Sequence, residues 1–152
     1  IGDVIKVQEP EAINKGLNML VDMPPGDIFV QVDRARMTQV ITNLITNAIH
    51  YTAKNGEITI NLTAKEEFRQ NIRHHYAVIE ISDTGIGIST DAIDNVFKPF
   101  FRVNEYQIGA GLGLSIAKEI IELHEAEMTI ESAENKGTSF TIKLDISAHD
   151  QT

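Results

Sequence analysis

The sequence predicts an α+β fold: a two-layer α/β sandwich in which a mixed, mostly antiparallel sheet lies on three main helices. Three observations carry that expectation. Residues 37 to 52, MTQVITNLITNAIHYT, repeat apolar side chains at helical spacing. Several other runs alternate apolar and polar residues with the period of two that marks a half-buried strand. Turn signals at Pro24 to Asp27 and at Asn135 to Gly137 then suggest hairpins, which segregate strands from helices and favour helices gathered on one face of a sheet. At 152 residues and 42% hydrophobic content, one domain with a single core is expected over residues 1–146, followed by a polar tail at 147–152.

In chain order, residues 2 to 15 read as a helix, with Pro10 marking a boundary or an early turn. Leu17, Met19, Val21 and Met23 alternate as a strand, Pro24-Pro25-Gly26-Asp27 turns, and Ile28, Val30 and Val32 alternate again as the returning strand. Asp33 stands at the N-cap position of the central helix, whose stripe of Met37, Val40, Ile41, Leu44, Ile45, Ala48 and Ile49 should face a core. Beyond the turn at Lys54-Asn55-Gly56, Ile58, Ile60, Leu62 and Ala64 form a strand, and the charged stretch from Lys65 to His75 reads as a loop. Ala77, Ile79 and Ile81 face one way along a strand that ends in Asp83-Thr84-Gly85-Ile86-Gly87-Ile88, and Ser89 caps a short helix from Thr90 to Val96. No periodicity survives from Phe97 to Ala110, after which Leu114, Ala117, Ile120, Ile121 and His124 mark a helix. Met128, Ile130 and Ser132, then Phe140, Ile142 and Leu144, form the last two strands.

The net charge of −9 and a pI near 4.9 argue against nucleic acid as a partner, because its phosphates would be repelled by the average surface. There is no cysteine, hence no disulfide and no thiolate metal site. No apolar run approaches the ~20 residues of a membrane span, so no membrane contact is expected of this stretch. His74 and His75 are adjacent but lack a nearby third ligand, and they read as solvated surface.

Three motifs point to chemistry. Asn43, Asn47, His50 and Tyr51 form a second stripe on the central helix, although asparagine is a poor helix former. A solvated polar face would look the same. Asp83 ends an apolar strand beside glycines, where a buried carboxylate needs a hydrogen-bond donor such as an exocyclic amino group, with Gly85 and Gly87 leaving space for a ring. A carboxylate capping its own turn is the alternative. Gly109, Gly111 and Gly113 precede a helix, a pattern that lets backbone approach a phosphate, although a tight turn also explains it. It is neither a P-loop nor a dinucleotide fingerprint. Asn47 offers a neutral oxygen suited to Mg²⁺, which is held mainly by substrate phosphates.

Taken together, the blocks Asn43 to Thr52, Asp83 to Ile88, Phe97 to Arg102, Gly109 to Ile116 and Gly137 to Phe140 resemble the catalytic ATP-binding domain of sensor histidine kinases, a family sharing its Bergerat-type fold with gyrase B, Hsp90 and MutL. The resemblance runs from about Ile1 to Ile146 with the motifs in the family's order. It implies ATP and Mg²⁺ as ligands, with Asn47 holding the metal, Asn43 supporting the phosphates and Tyr51 lying against adenine. Asp83 would accept from the adenine amino group, and Gly85, Gly87, Ile88 and Thr138 would complete the base pocket. Phe97, Phe100 and Arg102 would form the hinge of a lid, with Arg102 reaching a phosphate. Gly109, Gly111, Leu112, Gly113 and Leu114 would close over the triphosphate.

The same resemblance implies the function: transfer of the γ-phosphoryl group to a histidine on a dimerisation domain preceding Ile1, for relay to the receiver domain of a response regulator in two-component signalling. It also implies a cytoplasmic location, a monomeric fragment, and a homodimeric bacterial parent that an inner-membrane anchor would suit. Two departures stand out. His50 replaces a lysine common in relatives, so charge there would depend on pH, and no basic residue lies between Arg102 and Gly109. Both weaken the positive charge at the phosphate end, which leaves a degenerate docking module as an alternative. An ATPase of the Hsp90 or MutL type is disfavoured, since their water-activating glutamate is replaced here by Asn43, a carboxamide that cannot act as a general base.

Overall fold

The central helix has to put Met37, Val40, Ile41, Leu44, Ile45, Ala48 and Ile49 out of water, and in the computed structural model all of these are buried. The model describes residues 1–103 and 111–146; Gly109 and the 147–152 tail lie outside the described residues. The elements are α1 (Gly2–Lys15), β1 (Asn18–Asp22), α2 (Arg34–Tyr51), β2 (Glu57–Arg69), β3 (Ile72–Asp83), α3 (Thr90–Ile93), α4 (Gly113–Leu123), β4 (Glu127–Ala133) and β5 (Gly137–Asp145). The strands form one five-stranded sheet in the order β1-β2-β3-β5-β4. β1 runs parallel to β2 because α2 is the crossover between them, and every other pairing is antiparallel. Side chains of α1, α2 and α4 meet the inward residues Ile58, Ile60, Ile79, Ile81, Phe140 and Ile142 in a single core, which gives the two layers expected. None of the described helices is long and apolar enough to cross a membrane.

Local chemistry explains the ends of α2. The Asp33 carboxylate accepts from the Arg36 amide at 3.0 Å, as its N-cap position required. The Asp33 amide in turn donates to His124 Nε2 at 3.0 Å, joining the start of α2 to the end of α4. At the other end, Lys15 Nζ donates to the carbonyls of Ile49 (2.6 Å) and His50 (2.8 Å), so α1 supplies a cation where the helix dipole favours one.

Four local expectations are corrected. α1 runs through Pro10 without a break, because the ring lies on the exposed side while buried Val4, Ile5 and Ala12 hold both halves of the helix to the core. Ile28, Val30 and Val32 make no strand, and Pro24 to Asp27 is therefore not a hairpin turn. These three side chains are partly buried against the core, so their alternation reported burial of an extended segment rather than a hydrogen-bonded ladder. The stretch read as a loop, Lys65 to His75, belongs to a hairpin of β2 and β3 whose turn residues Gln70 (φ 50°) and Asn71 (φ 64°) both adopt the left-handed conformation. Its outer half projects past the neighbouring strands with both faces near water, so no apolar alternation marked it. Finally, α3 ends at Ile93 rather than Val96, and Ser89 holds the N-cap position without a side-chain bond.

Ile45 is fully buried, whereas Val21 on edge strand β1 is 41% exposed despite its inward place in the alternation. Ile45→Ala should therefore lower the unfolding free energy by about 2–5 kcal/mol, and Val21→Ala by less than about 1 kcal/mol. Urea titration of both variants checks the difference.

Candidate functional site

A pocket opens where the last turns of α2, the end of β3, the loop after it and the first turn of α4 converge. Seven residues singled out from the sequence line it: Asn47, Tyr51, Asp83, Gly87, Ile88, Leu114 and Thr138. Ile86, Val96, Phe101, Val103 and Phe140 complete the wall and make it largely apolar. Phe140 was legible only as a core strand residue. Val96, Phe101 and Val103 lie in or beside the aperiodic stretch, where spacing carries no signal.

Asp83 is the polar centre. Its Oδ1 accepts from the Gly85 amide at 2.8 Å and from the Thr138 amide at 3.3 Å. Oδ2 receives no hydrogen bond from any described residue, although the carboxylate lines the pocket. Burial pushes the Asp83 carboxyl above the usual carboxylate range, and the two amide bonds oppose that rise without cancelling it. The turn after β3 is held by backbone: the Ile86 amide donates to the Tyr51 carbonyl at 3.1 Å, and the Asn135 amide to the Ile86 carbonyl at 2.7 Å. A Cβ on Gly85 would collide with the Tyr51 carbonyl, and one on Gly87 (φ 66°) with the Ala133 carbonyl. Glycine is therefore required at both positions by close backbone approach; Gly87 lines the pocket, while Gly85 acts through its amide from outside the pocket wall.

The second stripe of α2 is divided among three neighbours. Asn47 and Tyr51 reach the pocket. Asn43 instead donates through Nδ2 to the Gly113 carbonyl at 3.2 Å, pinning the start of α4. His50 is turned towards α1, where Nε2 lies 3.6 Å from Glu11 Oε1, so the structure places it away from the pocket. The Asn47 carboxamide makes no hydrogen bond with another described residue. No group of three or more His, Cys, Asp or Glu among the described residues could hold a metal ion. A cation beside Asn47 would have to draw most of its oxygens from a ligand and water, the coordination Mg²⁺ favours.

Of the described part of the glycine-rich stretch, Gly111 to Leu114, only Leu114 lines the pocket. The Phe100 amide donates to the Gly111 carbonyl at 3.1 Å, and Phe100 itself has φ 63° and is mostly exposed. Gly111 (φ 74°) leaves no room for a Cβ, which would stand 2.6 Å from the Phe101 carbonyl. Leu112 occupies the N-cap of α4 without a side-chain cap, so the helix's first turn presents uncapped backbone, the arrangement suited to an anion. Phe97 packs edge-on against Phe140 at 6.5 Å, with Lys118 Nζ 5.3 Å from its ring centre. Phe100 and Arg102 stand outside the pocket wall.

Because burial disfavours the ionised form of Asp83, its folded-state pKa is raised, and its charge weakens the fold above that pKa. The penalty falls as pH drops through it and vanishes below the unfolded value. Asp83→Asn keeps an oxygen for the Gly85 and Thr138 amides but removes the charge. The ligand-free variant is expected to be more stable than the parent at pH 7, with the gap closing on acidification. Thermal unfolding across pH checks this, and a variant less stable at every pH would contradict the assigned balance.

Residues 32–148 match the family described as Histidine kinase-, DNA gyrase B-, and HSP90-like ATPase. RppB, a sensor histidine kinase of Synechocystis sp., is 37% identical over 139 residues, which is 89% of this chain and 29% of RppB. WalK, a sensor histidine kinase of Bacillus subtilis, is 35% identical over 127 residues, or 81% of this chain and 20% of WalK. This chain thus spans less than a third of either relative's length. Among solved structures, the nucleotide-free catalytic domain of histidine kinase ThkA superposes with a TM-score of 0.78 at 27% identity, covering 95% of this chain and 90% of that one. With the matched span reaching from the N-cap of α2 to beyond β5, the chain belongs to the family of histidine kinase-, DNA gyrase B- and HSP90-like ATPases.

Proposed function

We infer that this chain is the ATP-binding catalytic part of a sensor histidine kinase. It binds Mg-ATP and transfers the γ-phosphoryl group to a histidine on a separate dimerisation domain, for relay to a response-regulator aspartate. The observation that carries the reading is Asp83: a buried carboxylate with Oδ1 saturated by two amides and Oδ2 unengaged at the wall of an apolar pocket. A flat heterocycle with an exocyclic amino group answers both needs, because its rings bury apolar surface and its N–H satisfies the free oxygen. The unpartnered Asn47 oxygen fits Mg²⁺, which would neutralise phosphate charge when bound. The uncapped start of α4 would receive the phosphates.

In this reading the protein's own residues position rather than react. An acceptor imidazole nitrogen attacks the γ-phosphorus, the bond to the β-phosphate oxygen breaks, and ADP leaves. Asn43 holds the start of α4 in place and has no basic lone pair to activate water, so hydrolysis should be slow. That argues against an ATPase of the Hsp90 or MutL type. The degenerate docking module is favoured by one observation, the engagement of His50 with Glu11, which leaves no α2 cation at the phosphate end.

Incubation of the protein with Mg-ATP, followed by separation and identification of bound nucleotide, is expected to return largely unhydrolysed ATP and no label on His50, His74, His75, His124 or His149. Rapid formation of ADP would restore the hydrolase reading; no bound nucleotide would leave the docking module. In the same assay Asp83→Asn should weaken ATP by about tenfold or more while changing GTP little, the size expected for a buried hydrogen bond lost. Equal losses for both would remove Asp83 from base recognition.

A further inference from the structure

Ser132 lies outside the pocket wall, yet it decides how one of the wall residues presents itself. On β4 it pairs directly across the hairpin with Thr138 of β5. Its Oγ has three partners: it donates to the Gly137 carbonyl at 2.9 Å, accepts from the Ile88 amide at 2.8 Å, and lies 2.8 Å from Thr138 Oγ1. A hydroxyl has one proton. The Gly137 carbonyl can only accept, so the Ser132 proton is committed there, and the third bond must be donated by Thr138. That fixes the Thr138 rotor, with its proton drawn towards Ser132 and its lone pairs left for the pocket it lines.

We propose that Ser132 is a specificity-determining positioning residue: by taking the Thr138 proton it turns Thr138 Oγ1 into an acceptor, which selects a 6-amino purine over a 6-oxo purine. The proposal rests on the nucleotide reading above and deepens it. The second acceptor is the free Oδ2 of Asp83, which lines the same pocket, and the Thr138 amide on Asp83 Oδ1 holds the two residues together. An amino group at C6 can donate to this pair. A carbonyl at C6 would meet lone pairs only, and its repulsion is the basis of discrimination. Without Ser132 the Thr138 hydroxyl is free to rotate and donate, and a 6-oxo group becomes tolerable. The Ile88 amide and the Gly137 carbonyl would lose a partner as well, so a purely structural role for Ser132 has to be separated from this one.

The separating experiment measures binding of ATP and of ITP, which has a carbonyl at C6 and a proton on N1, to the parent, Ser132→Ala, Thr138→Val and the double variant, with thermal unfolding to confirm that each is folded. The N1 difference is common to all four proteins and cancels when their ratios are compared. Ser132→Ala should reduce the ATP-to-ITP affinity ratio by about tenfold. In the Thr138→Val background the same change should leave the ratio unaltered, because the rotor it controls is gone. Equal loss of ATP and ITP affinity on Ser132→Ala would mean that Ser132 only braces the hairpin, and would overturn the proposal while leaving the nucleotide reading standing. A ratio that still falls in the Thr138→Val background would also overturn it. A parent protein that binds neither nucleotide would overturn both.

Discussion

The burial of one face of α2 is the constraint on which the rest depends. Burying a side chain of the size of Leu or Ile is worth about 1.5–3 kcal/mol, while an N-cap such as that of Asp33 contributes about 1 kcal/mol. The apolar stripe therefore decides the rotation of the helix, and the cap trims its end. Once the stripe faces the sheet, helical geometry leaves no freedom for the other residues. Asn47 and Tyr51 come to the rim beside Asp83, Asn43 to the start of α4 and His50 to α1. The contact from the Ile86 amide to the Tyr51 carbonyl then fastens the turn after β3 to the same helix. Helix phase and pocket geometry are one arrangement.

Asp83 illustrates how a site differs from a core. A structure selected for stability alone would not desolvate a carboxylate and leave one oxygen without a donor. Here the strand end, the Gly85 amide and the Thr138 amide hold it in that condition, and Ser132 Oγ lies 2.8 Å from the neighbouring Thr138 hydroxyl. The price in stability is the preorganisation a ligand would exploit.

Charge acts differently over the rest of the surface. The outer part of the β2–β3 hairpin carries Lys143 to Glu67 at 2.6 Å and Arg69 to Glu127 at 3.2 Å, with Lys143 Nζ 4.2 Å from the Tyr76 ring centre. The Arg69–Glu127 pair is exposed on both sides and worth little, whereas the Lys143 side chain is only 15% exposed. They cover Tyr76, which is buried on the helix-free face of the sheet.

What the sequence determined by itself was periodic or compositional: the α2 stripe, the inward faces of β3 and β5, the Asp33 cap, and the Asp83 and glycine blocks that mark the pocket. Those signals are local because helix and strand geometry repeat over a few residues. It misread Ile28 to Val32 as a strand and Lys65 to His75 as a loop, since alternation reports burial and the projecting hairpin buries little. Only the tertiary structure decided that His50 turns to Glu11, that Gly85 and Gly87 lie against the Tyr51 and Ala133 carbonyls, and that Ser132 meets Thr138. Each of these depends on which atom from another part of the chain arrives within 4 Å, and no spacing along one strand or helix encodes that meeting.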